Sequence, residues 1–351
     1  AQDYNFDKIE MIICDGDSDD RTVQIVKKFS DQDSRIKIIN NINKIVSCGF
    51  NLGLNEAKGD IIIRIDGHVE ISSNYISRCV ELLETKNVDI VGGCIVTKSI
   101  GNVGKSIAIA QSSFFGVGGV KFRSKKCNIS TYVNTLAFGA HKREIFSDIG
   151  GYDQDMVCNQ DDEFNYRAIQ YGKKIWMDHS IKTIYYSRSN YSQLFKQYFN
   201  YGFFKVRGFQ KRKKIFSIRH LIPSTFIITL IVNLLLGTYL QQMWVFCSVF
   251  FPYLFINVVS SIISSPKVIH FPLIFISFCI LHFGYGLGFI WGMFWFMNKW
   301  KDTFPTLNFR TIFMFFPSSV NISCYNFIWH YIIDKYFFID FIYKIEFKGL
   351  K

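Results

Sequence analysis

The feature that most constrains this chain is a nearly charge-free stretch from residue 220 to residue 298, in which Lys267 is the one charged residue. Three apolar segments, 218–240, 243–263 and 271–296, each exceed the roughly 20 residues that a helix needs to cross a bilayer. Nearly all the acidic residues lie before residue 220. The sequence therefore predicts a soluble N-terminal domain followed by three transmembrane helices.

Basic residues cluster just before the first apolar segment, at Lys205, Arg207 and 211–214. The cytoplasmic flanks of transmembrane helices are rich in Lys and Arg, so the cluster predicts a multi-pass protein of the cytoplasmic (inner) membrane with its N-terminal domain in the cytoplasm. It also explains the net charge of +12 without a nucleic-acid partner. Hydrophobic residues make up 49% of the chain, which excludes intrinsic disorder.

Nine cysteines are spread singly along the chain, with no CxxC pair and no Cys/His spacing typical of zinc sites. We interpret them as thiols of a reducing compartment. The expectation is therefore that the chain has neither a zinc site nor a disulfide framework.

Two segments flank the apolar region. Residues 189–217 combine an aromatic stripe with the basic run, which predicts an amphipathic helix in the membrane interface that seats the N-terminal domain against the bilayer. A core-facing helix is the alternative for its first half. The stripe consists of Tyr191, Leu194, Phe195 and Tyr198. The aromatic tail, 299–351, could add a fourth span at 311–333, although Pro317 weakens it.

Within residues 1–188, short apolar runs alternate with segments of helical spacing. The predicted strands are 9–14, 36–39, 61–65 and 89–96, and the predicted helices are 22–29, 51–58 and 75–83. This alternation is typical of an α/β domain with a mostly parallel central sheet, in which ligands bind at the carboxyl ends of the strands. Acidic turns at Asp15 and Asp66 follow two of these strands, so both are candidate binding residues.

Asp66-Gly67-His68 is the first candidate site. A carboxylate and an imidazole two residues apart at a strand end can bind one divalent cation that is shared with substrate phosphates. The imidazole favours Mn²⁺ over Mg²⁺. An ordinary surface turn is the alternative.

The two other candidates are also acidic. Asp15 opens the turn Asp-Gly-Asp-Ser-Asp-Asp, where its carboxylate could accept hydrogen bonds from a ribose or a base, or the turn could cap the next helix. Asp161 and Asp162 precede a helix-like stretch, where one carboxylate could act as a general base. Alternatively, these acids simply favour the positive N-terminal end of that helix.

Several motifs occur in order along the chain: Asp15-Gly-Asp-Ser-Asp-Asp, Asn51-Leu-Gly-Leu-Asn55, Asp66-Gly-His68, Gly150-Gly151-Tyr152-Asp153 and Gln160-Asp-Asp-Glu-Phe-Asn-Tyr-Arg167. Their combination resembles the family 2 glycosyltransferases, which have the GT-A nucleotide-diphospho-sugar transferase fold. The resemblance is closer still to the membrane-bound, succinoglycan-type glucosyltransferases of exopolysaccharide synthesis. It extends from about residue 2 to about residue 298.

The resemblance implies a role for each matching position. Asp15 would hold the nucleoside of the donor. Asp66 and His68 match the metal motif of the family, which implies Mn or Mg as the cofactor and places Asp66 beside the donor as well. Arg167 is the last residue of the final motif and would also bind the donor.

The resemblance also implies the base. Asp161 falls where the family has its catalytic carboxylate, with Gln160 in the place of the preceding Glu. Asp162 is the second candidate for the base, because the register could differ by one residue.

Two departures from the family pattern affect these expectations. The family begins with a strand and helix upstream of Gln2, so the first strand of the sheet is expected to be missing and the chain to be truncated. Processive synthases carry a Gln-x-x-Arg-Trp motif, whereas Gln197 is followed here by Tyr-Phe-Asn-Tyr. A processive polymerase is therefore disfavoured.

The activity implied is inverting, metal-dependent transfer of a hexose from a nucleotide-diphosphate sugar, with UDP-hexose expected, to a lipid-linked saccharide at the cytoplasmic face of the membrane. Two alternatives stay open within this ancestry: transfer to polyprenyl phosphate, and a catalytically impaired truncated remnant. A channel or flippase is a different class. The near absence of charge in the apolar segments argues against it, because transport paths usually need polar residues within the membrane.

Overall fold

The computed structural model describes residues 2–123, 127–212 and 218–300. These residues form eight strands: β1 (Met11–Asp15), β2 (Ile36–Asn40), β3 (Ile61–Ile63), β4 (Val69–Ile71), β5 (Ile90–Lys98), β6 (Thr131–Tyr132), β7 (Ala140–Lys142) and β8 (Ile175–Tyr186). They also form eleven α-helices: α1 (Thr22–Ser30), α2 (Val46–Glu56), α3 (Tyr75–Thr85), α4 (Gly101–Gln111), α5 (Phe114–Val117), α6 (Glu144–Ile149), α7 (Gln160–Gln170), α8 (Tyr191–Arg212), α9 (Ile222–Tyr239), α10 (Trp244–Ser264) and α11 (His270–Trp295). The seven elements predicted between residues 9 and 96 are present, with ends that differ by at most five residues.

The described strands form two sheets. β1 and β2 pair in parallel, and a six-stranded sheet has the order β3-β7-β5-β8-β4, with β6 on the edge of β8. Within the larger sheet, β5 and β8 run parallel and the other described pairs are antiparallel. The α/β class is confirmed. The sheet is mixed rather than mostly parallel, because β4 and β7 enter it from loops instead of crossover helices.

The apolar core lies on both faces of the larger sheet. On one face, the rings of Phe146 on α6 and Phe164 on α7 stack at 5.2 Å between centroids. On the other face, α3 packs Tyr75 and Leu82 against Val91 of β5. Burying one large apolar side chain contributes roughly 1.5–3 kcal/mol, so the first layer holds α7 against the strands and the second holds α3.

One pair of cysteines departs from the sequence prediction. Cys94 on β5 and Cys127, which lies shortly before β6, form a disulfide with Cα atoms 6.0 Å apart. The prediction of nine separate thiols is therefore wrong for this pair. This pair has no signal in the sequence, because 33 positions separate the two residues and no spacing motif joins them.

Three described helices, α9, α10 and α11, are long and apolar enough to cross a membrane. Their positions agree with the predicted segments to within a few residues. Large apolar side chains on α9 and α10 are exposed, among them Leu235, Phe255 and Ile263. Exposed apolar surface of this extent fits contact with lipid. The suggested fourth span at 311–333 lies outside the described residues.

Helix α8 packs along α11 instead of lying free in the membrane interface. Leu194 and Tyr198 of the aromatic stripe are buried in a cluster with residues of α4 and α11. These two side chains face the protein, as the core-facing alternative expects for the first half of this segment, and the interfacial position of residues 189–217 stays a prediction. Periodicity indicated the apolar face of α8 but could not tell whether protein or lipid covers it.

Two residues of the basic run, Lys211 and Arg212, make contacts with other residues of the protein. Lys211 forms ion pairs with Asp153 and, at 2.9 Å, with Asp155. The Arg212 guanidinium lies 5.1 Å from the centre of the Tyr166 ring. These two basic residues join α8 to the N-terminal domain, while residues 213–214 lie outside the described part of the chain.

We expect glycine on α11 to be required for the contact with α8. A methyl group at Gly288 would overlap the carbonyl oxygen of Phe199, so Gly288→Ala should separate the helices and cost about 1–3 kcal/mol. Gly208→Ala on α8 is the matched control, because its methyl group would meet Met156 at 3.6 Å, an ordinary contact distance. Thermal unfolding in detergent measures both variants, and equal melting temperatures would contradict the close packing.

Candidate active site

A cavity of about 5350 Å³ opens where β1 and β3 end, and it extends to α8, α9 and α11. Five candidates from the sequence line it: Asp15, Asp66, His68, Asp161 and Asp162. Residues from three separate motifs therefore meet in one space. That space continues to the helices that are able to span a membrane.

Asp15 ends β1 and is largely buried. Its carboxylate accepts hydrogen bonds from the backbone N–H of Ser18, at 2.9 Å, and from the Ser18 hydroxyl. Asp20 accepts a 2.8 Å hydrogen bond from the N–H of Thr22, the first residue of α1, while Arg21 occupies the N-cap position. The contact with the helix start thus belongs to Asp20, and Asp15 remains a cavity-lining carboxylate that a ligand could share.

Asp66 is held by a neighbouring arginine. Arg64 Nε donates to one carboxylate oxygen of Asp66 and Nη2 donates to the other, each at 2.9 Å. The Arg64 side chain is 13% exposed and that of Asp66 is 22% exposed. A bidentate pair of this kind is stronger than a neutral hydrogen bond, so the carboxylate has a defined orientation.

His68 and Asp66 fit a cation that also binds a diphosphate. The His68 ring meets Tyr185 edge to face at 5.0 Å. Burial lowers the pKa of His68, which favours the neutral imidazole that can bind a metal. In the described part of the chain, no group of three or more His, Cys, Asp or Glu side chains is arranged to hold a metal ion. Two protein donors still suit Mn²⁺ or Mg²⁺, which takes further ligands from phosphate and water.

The two carboxylates that begin α7 have different surroundings. Thr135 Oγ1 donates to Asp162 at 2.6 Å, and Lys205 Nζ lies 2.6 Å from its other oxygen. Although burial acts in the opposite direction, the Lys205 ammonium and these hydrogen bonds lower the pKa of Asp162. Burial and the neighbouring Asp162 charge raise the pKa of Asp161. Asp161 is therefore the better proton acceptor of the two.

Arg167 lies elsewhere. It forms a bidentate ion pair with Glu163 at 2.7 and 2.9 Å, and donates to the carbonyl oxygens of Ile149 and Gly151. It lines a small separate pocket and not the large cavity. The prediction that Arg167 binds the donor is not supported by this position, because its donors already fasten α7 to the loop after α6.

Three functional candidates were missed from the sequence. Arg64 lies beside the metal motif, and Lys205 reaches Asp162 from α8. Arg123 lines the cavity with its guanidinium 5.0 Å from the centre of the Tyr185 ring. One of them could have been suspected, because Arg64 is a charged residue within the apolar run 61–65. The pairing of Lys205 had no sequence signal.

Residues 1–150 match the family model described as Glycosyl transferase family 2. The chain is 31% identical over 215 residues to the succinoglycan biosynthesis protein ExoA of Rhizobium meliloti (strain 1021), an alignment that covers 61% of this chain and 64% of ExoA. This chain therefore spans slightly less than two thirds of the length of ExoA.

A second relative matches over more of its length. It is the dolichyl N-acetyl-alpha-D-glucosaminyl phosphate 3-beta-D-2,3-diacetamido-2,3-dideoxy-beta-D-glucuronosyltransferase of Methanococcus voltae, 28% identical over 302 residues. That alignment covers 83% of this chain and 90% of the relative. Among solved structures, the mannosyltransferase PcManGT from Pyrobaculum calidifontis with GDP-Man and Mn²⁺ has a TM-score of 0.46 and 14% identity, covering 71% of this chain and 78% of that one.

Proposed function

We propose that this chain is a glycosyltransferase that transfers a hexose from a nucleotide-diphosphate sugar to a lipid-linked saccharide, because its residues 1–150 match the family 2 model and form a mixed α/β domain. The single observation that carries the proposal is the shared cavity. It joins the candidate metal pair Asp66 and His68 to the candidate base Asp161, and reaches the apolar helices. A lipid-linked acceptor would enter from that side.

The proposed chemistry is a direct, inverting displacement. Asp161 accepts the proton of the acceptor hydroxyl as that oxygen attacks the anomeric carbon, and the diphosphate departs from the opposite face. Asp66 and His68 would hold a divalent cation, which neutralises the departing diphosphate. Asp15 accepts hydrogen bonds from the nucleoside. One base suffices for this displacement, since it forms no covalent intermediate with the protein.

The acceptor side of the proposal rests on two further observations. The name of the relative from Methanococcus voltae includes a dolichyl-linked sugar phosphate, and that relative aligns with this chain over 302 residues. Helices α9, α10 and α11 are suited to span the cytoplasmic membrane, with the basic residues before them on the cytoplasmic side. A membrane-embedded carrier would thus keep its saccharide close to Asp161.

Donor binding should depend on Asp66 when Mn²⁺ is present. Asp66→Ala is expected to abolish Mn²⁺-dependent binding of UDP-hexose, because the cation loses its carboxylate ligand. Asp60→Ala is the matched control, since Asp60 also lines the cavity just before β3. Isothermal titration of the purified chain with donor, with and without Mn²⁺, gives the comparison. Equal loss in both variants would indicate damage to the fold and contradict the assignment.

A further inference from the structure

Arg64 forms hydrogen bonds with the same Asp66 carboxylate oxygens that a cation would bind. Its guanidinium donates to both carboxylate oxygens of Asp66, and its side chain is largely shielded from solvent. Each carboxylate oxygen has two lone pairs, of which Arg64 uses one, so a cation that approaches Asp66 from the side facing Arg64 has to displace at least one of these hydrogen bonds. The arginine and the cation are therefore competitors for the same carboxylate.

The position of Arg64 is itself fixed by a distant motif. Its guanidinium lies 5.6 Å from the centre of the Tyr152 ring. The backbone of Tyr152 is held by Asn51, whose side-chain amide donates to the Tyr152 carbonyl and accepts from the Tyr152 N–H, both at 2.8 Å. The Tyr152 ring also stacks on Phe50 at 4.1 Å. A side chain at Gly151 would overlap Asn51, so glycine is needed there for the close contact with Asn51. Together, the motifs at Asn51 and Gly151 position the Tyr152 ring that contacts Arg64.

The charge of Arg64 also acts on the second carboxylate of the site. The guanidinium is one of the positive groups that oppose the rise in the pKa of Asp161. Arg64 therefore interacts with the candidate metal ligand through hydrogen bonds and with the candidate base through its charge.

We propose that Arg64 is a positioning residue that holds Asp66 when no cation is bound, yields it to the divalent cation, and then offers its guanidinium to the diphosphate of the donor. The inference rests on the proposed function and adds to it a coupling between cation binding and donor binding. Cation binding frees Arg64, so the cation and the diphosphate each favour the binding of the other. Because such linkage is reciprocal, loss of Arg64 must weaken the coupling in both directions.

Titration of the full chain in detergent with Mn²⁺, followed by electron paramagnetic resonance, tests this inference. Without nucleotide, Arg64→Gln should bind Mn²⁺ about tenfold more tightly than the native chain, because no charged hydrogen bonds have to be displaced. With UDP present, Mn²⁺ binding should tighten less in Arg64→Gln than in the native chain. Arg35→Gln is the matched control, because Arg35 makes the same bidentate pair with Asp33 beside the start of β2.

The outcomes distinguish a failure of the proposed role of Arg64 from a failure of the metal assignment to Asp66 and His68. If the native chain binds Mn²⁺ and Arg64→Gln binds it no more tightly, the inference is wrong while the metal assignment stands. If the native chain binds no Mn²⁺ with or without UDP, the metal assignment fails and the inference fails with it. If Arg64→Gln does not fold, Arg64→Lys replaces it. Lysine keeps the charge but lacks the bidentate geometry, so an intermediate gain in Mn²⁺ affinity is expected, and an unchanged affinity would overturn the proposal.

Discussion

Replacing Asp161 with Asn is expected to lower hexose transfer by about 10²–10⁴-fold while leaving donor binding intact, the range that loss of a positioned general base produces. Asparagine keeps the size of the side chain but cannot accept the acceptor's proton. The same substitution at the neighbouring residue, Asp162→Asn, is the matched control, because the Asp162 carboxylate already binds Thr135 and Lys205. Steady-state transfer rates and donor titrations of both variants measure the difference.

Asp162→Asn is expected to act mainly on stability, since it leaves the buried Lys205 without its counter-charge. If Asp162→Asn shows intact donor binding with lost turnover and Asp161→Asn does not, the base is Asp162 and the assignment from the structure is wrong by one position.

The same assignment predicts the direction of the pH dependence. A base must be deprotonated to act, and burial together with the Asp162 charge raises the pKa of Asp161 above its ordinary value of 3.8. Transfer should therefore fall as the pH decreases through that raised pKa, at a higher pH than an ordinary aspartate would require. A profile of transfer rate against pH that shows no acid limb above the ordinary range would argue against Asp161.

Replacing Lys205 with Met should destabilise the chain by about 3 kcal/mol, the lower end of the range for removing one partner of a buried ion pair, because the Asp162 side chain is 29% exposed. The Lys205 side chain is 6% exposed and its ammonium lies 2.6 Å from Asp162, so the carboxylate would lose its counter-charge and keep the hydrogen bond from Thr135. Lys105→Met on the exposed face of α4 is the control and should change stability little. Thermal unfolding in detergent reports the effect.

A double variant isolates the pair itself. Lys205→Met combined with Asp162→Asn removes both charges, so it should lose less stability than the sum of the two single variants. Simple additivity would show that the two side chains are not coupled. Because α8 packs on α11 while Lys205 reaches α7, this ion pair also connects the candidate site to the apolar helices.

The sequence predicted those parts of the molecule that depend on local pattern. Length and hydropathy were enough for α9, α10 and α11, and the alternation of apolar runs located β1 and β3 with the acidic turns after them. The convergence of Asp15 and Asp66 followed from the rule that ligands bind at the carboxyl ends of strands, whereas Asp161 was expected beside them from the family resemblance. What it missed depends on contacts between residues far apart in sequence.

Two examples show why such contacts escape a reading of the sequence. Lys205 and Asp162 lie 43 positions apart and meet only because α8 folds back over α7. Arg167 shares a motif with Asp161, yet lies six residues further along α7 and fastens Glu163 and the neighbouring loop instead of facing the cavity. Membership in a motif indicates ancestry, whereas the face of a helix decides which atoms a ligand can reach.

The most direct test of the account is nucleotide release by the purified full chain in lipid nanodiscs, supplied with a panel of nucleotide-diphosphate hexoses, Mn²⁺ and a lipid-linked saccharide. We expect release of the nucleoside diphosphate from at least one donor, dependent on both the acceptor and Mn²⁺, and its loss in Asp161→Asn and Asp66→Ala. Release that continues unchanged in both variants, or no release from any donor by the native chain, would contradict the proposed transfer.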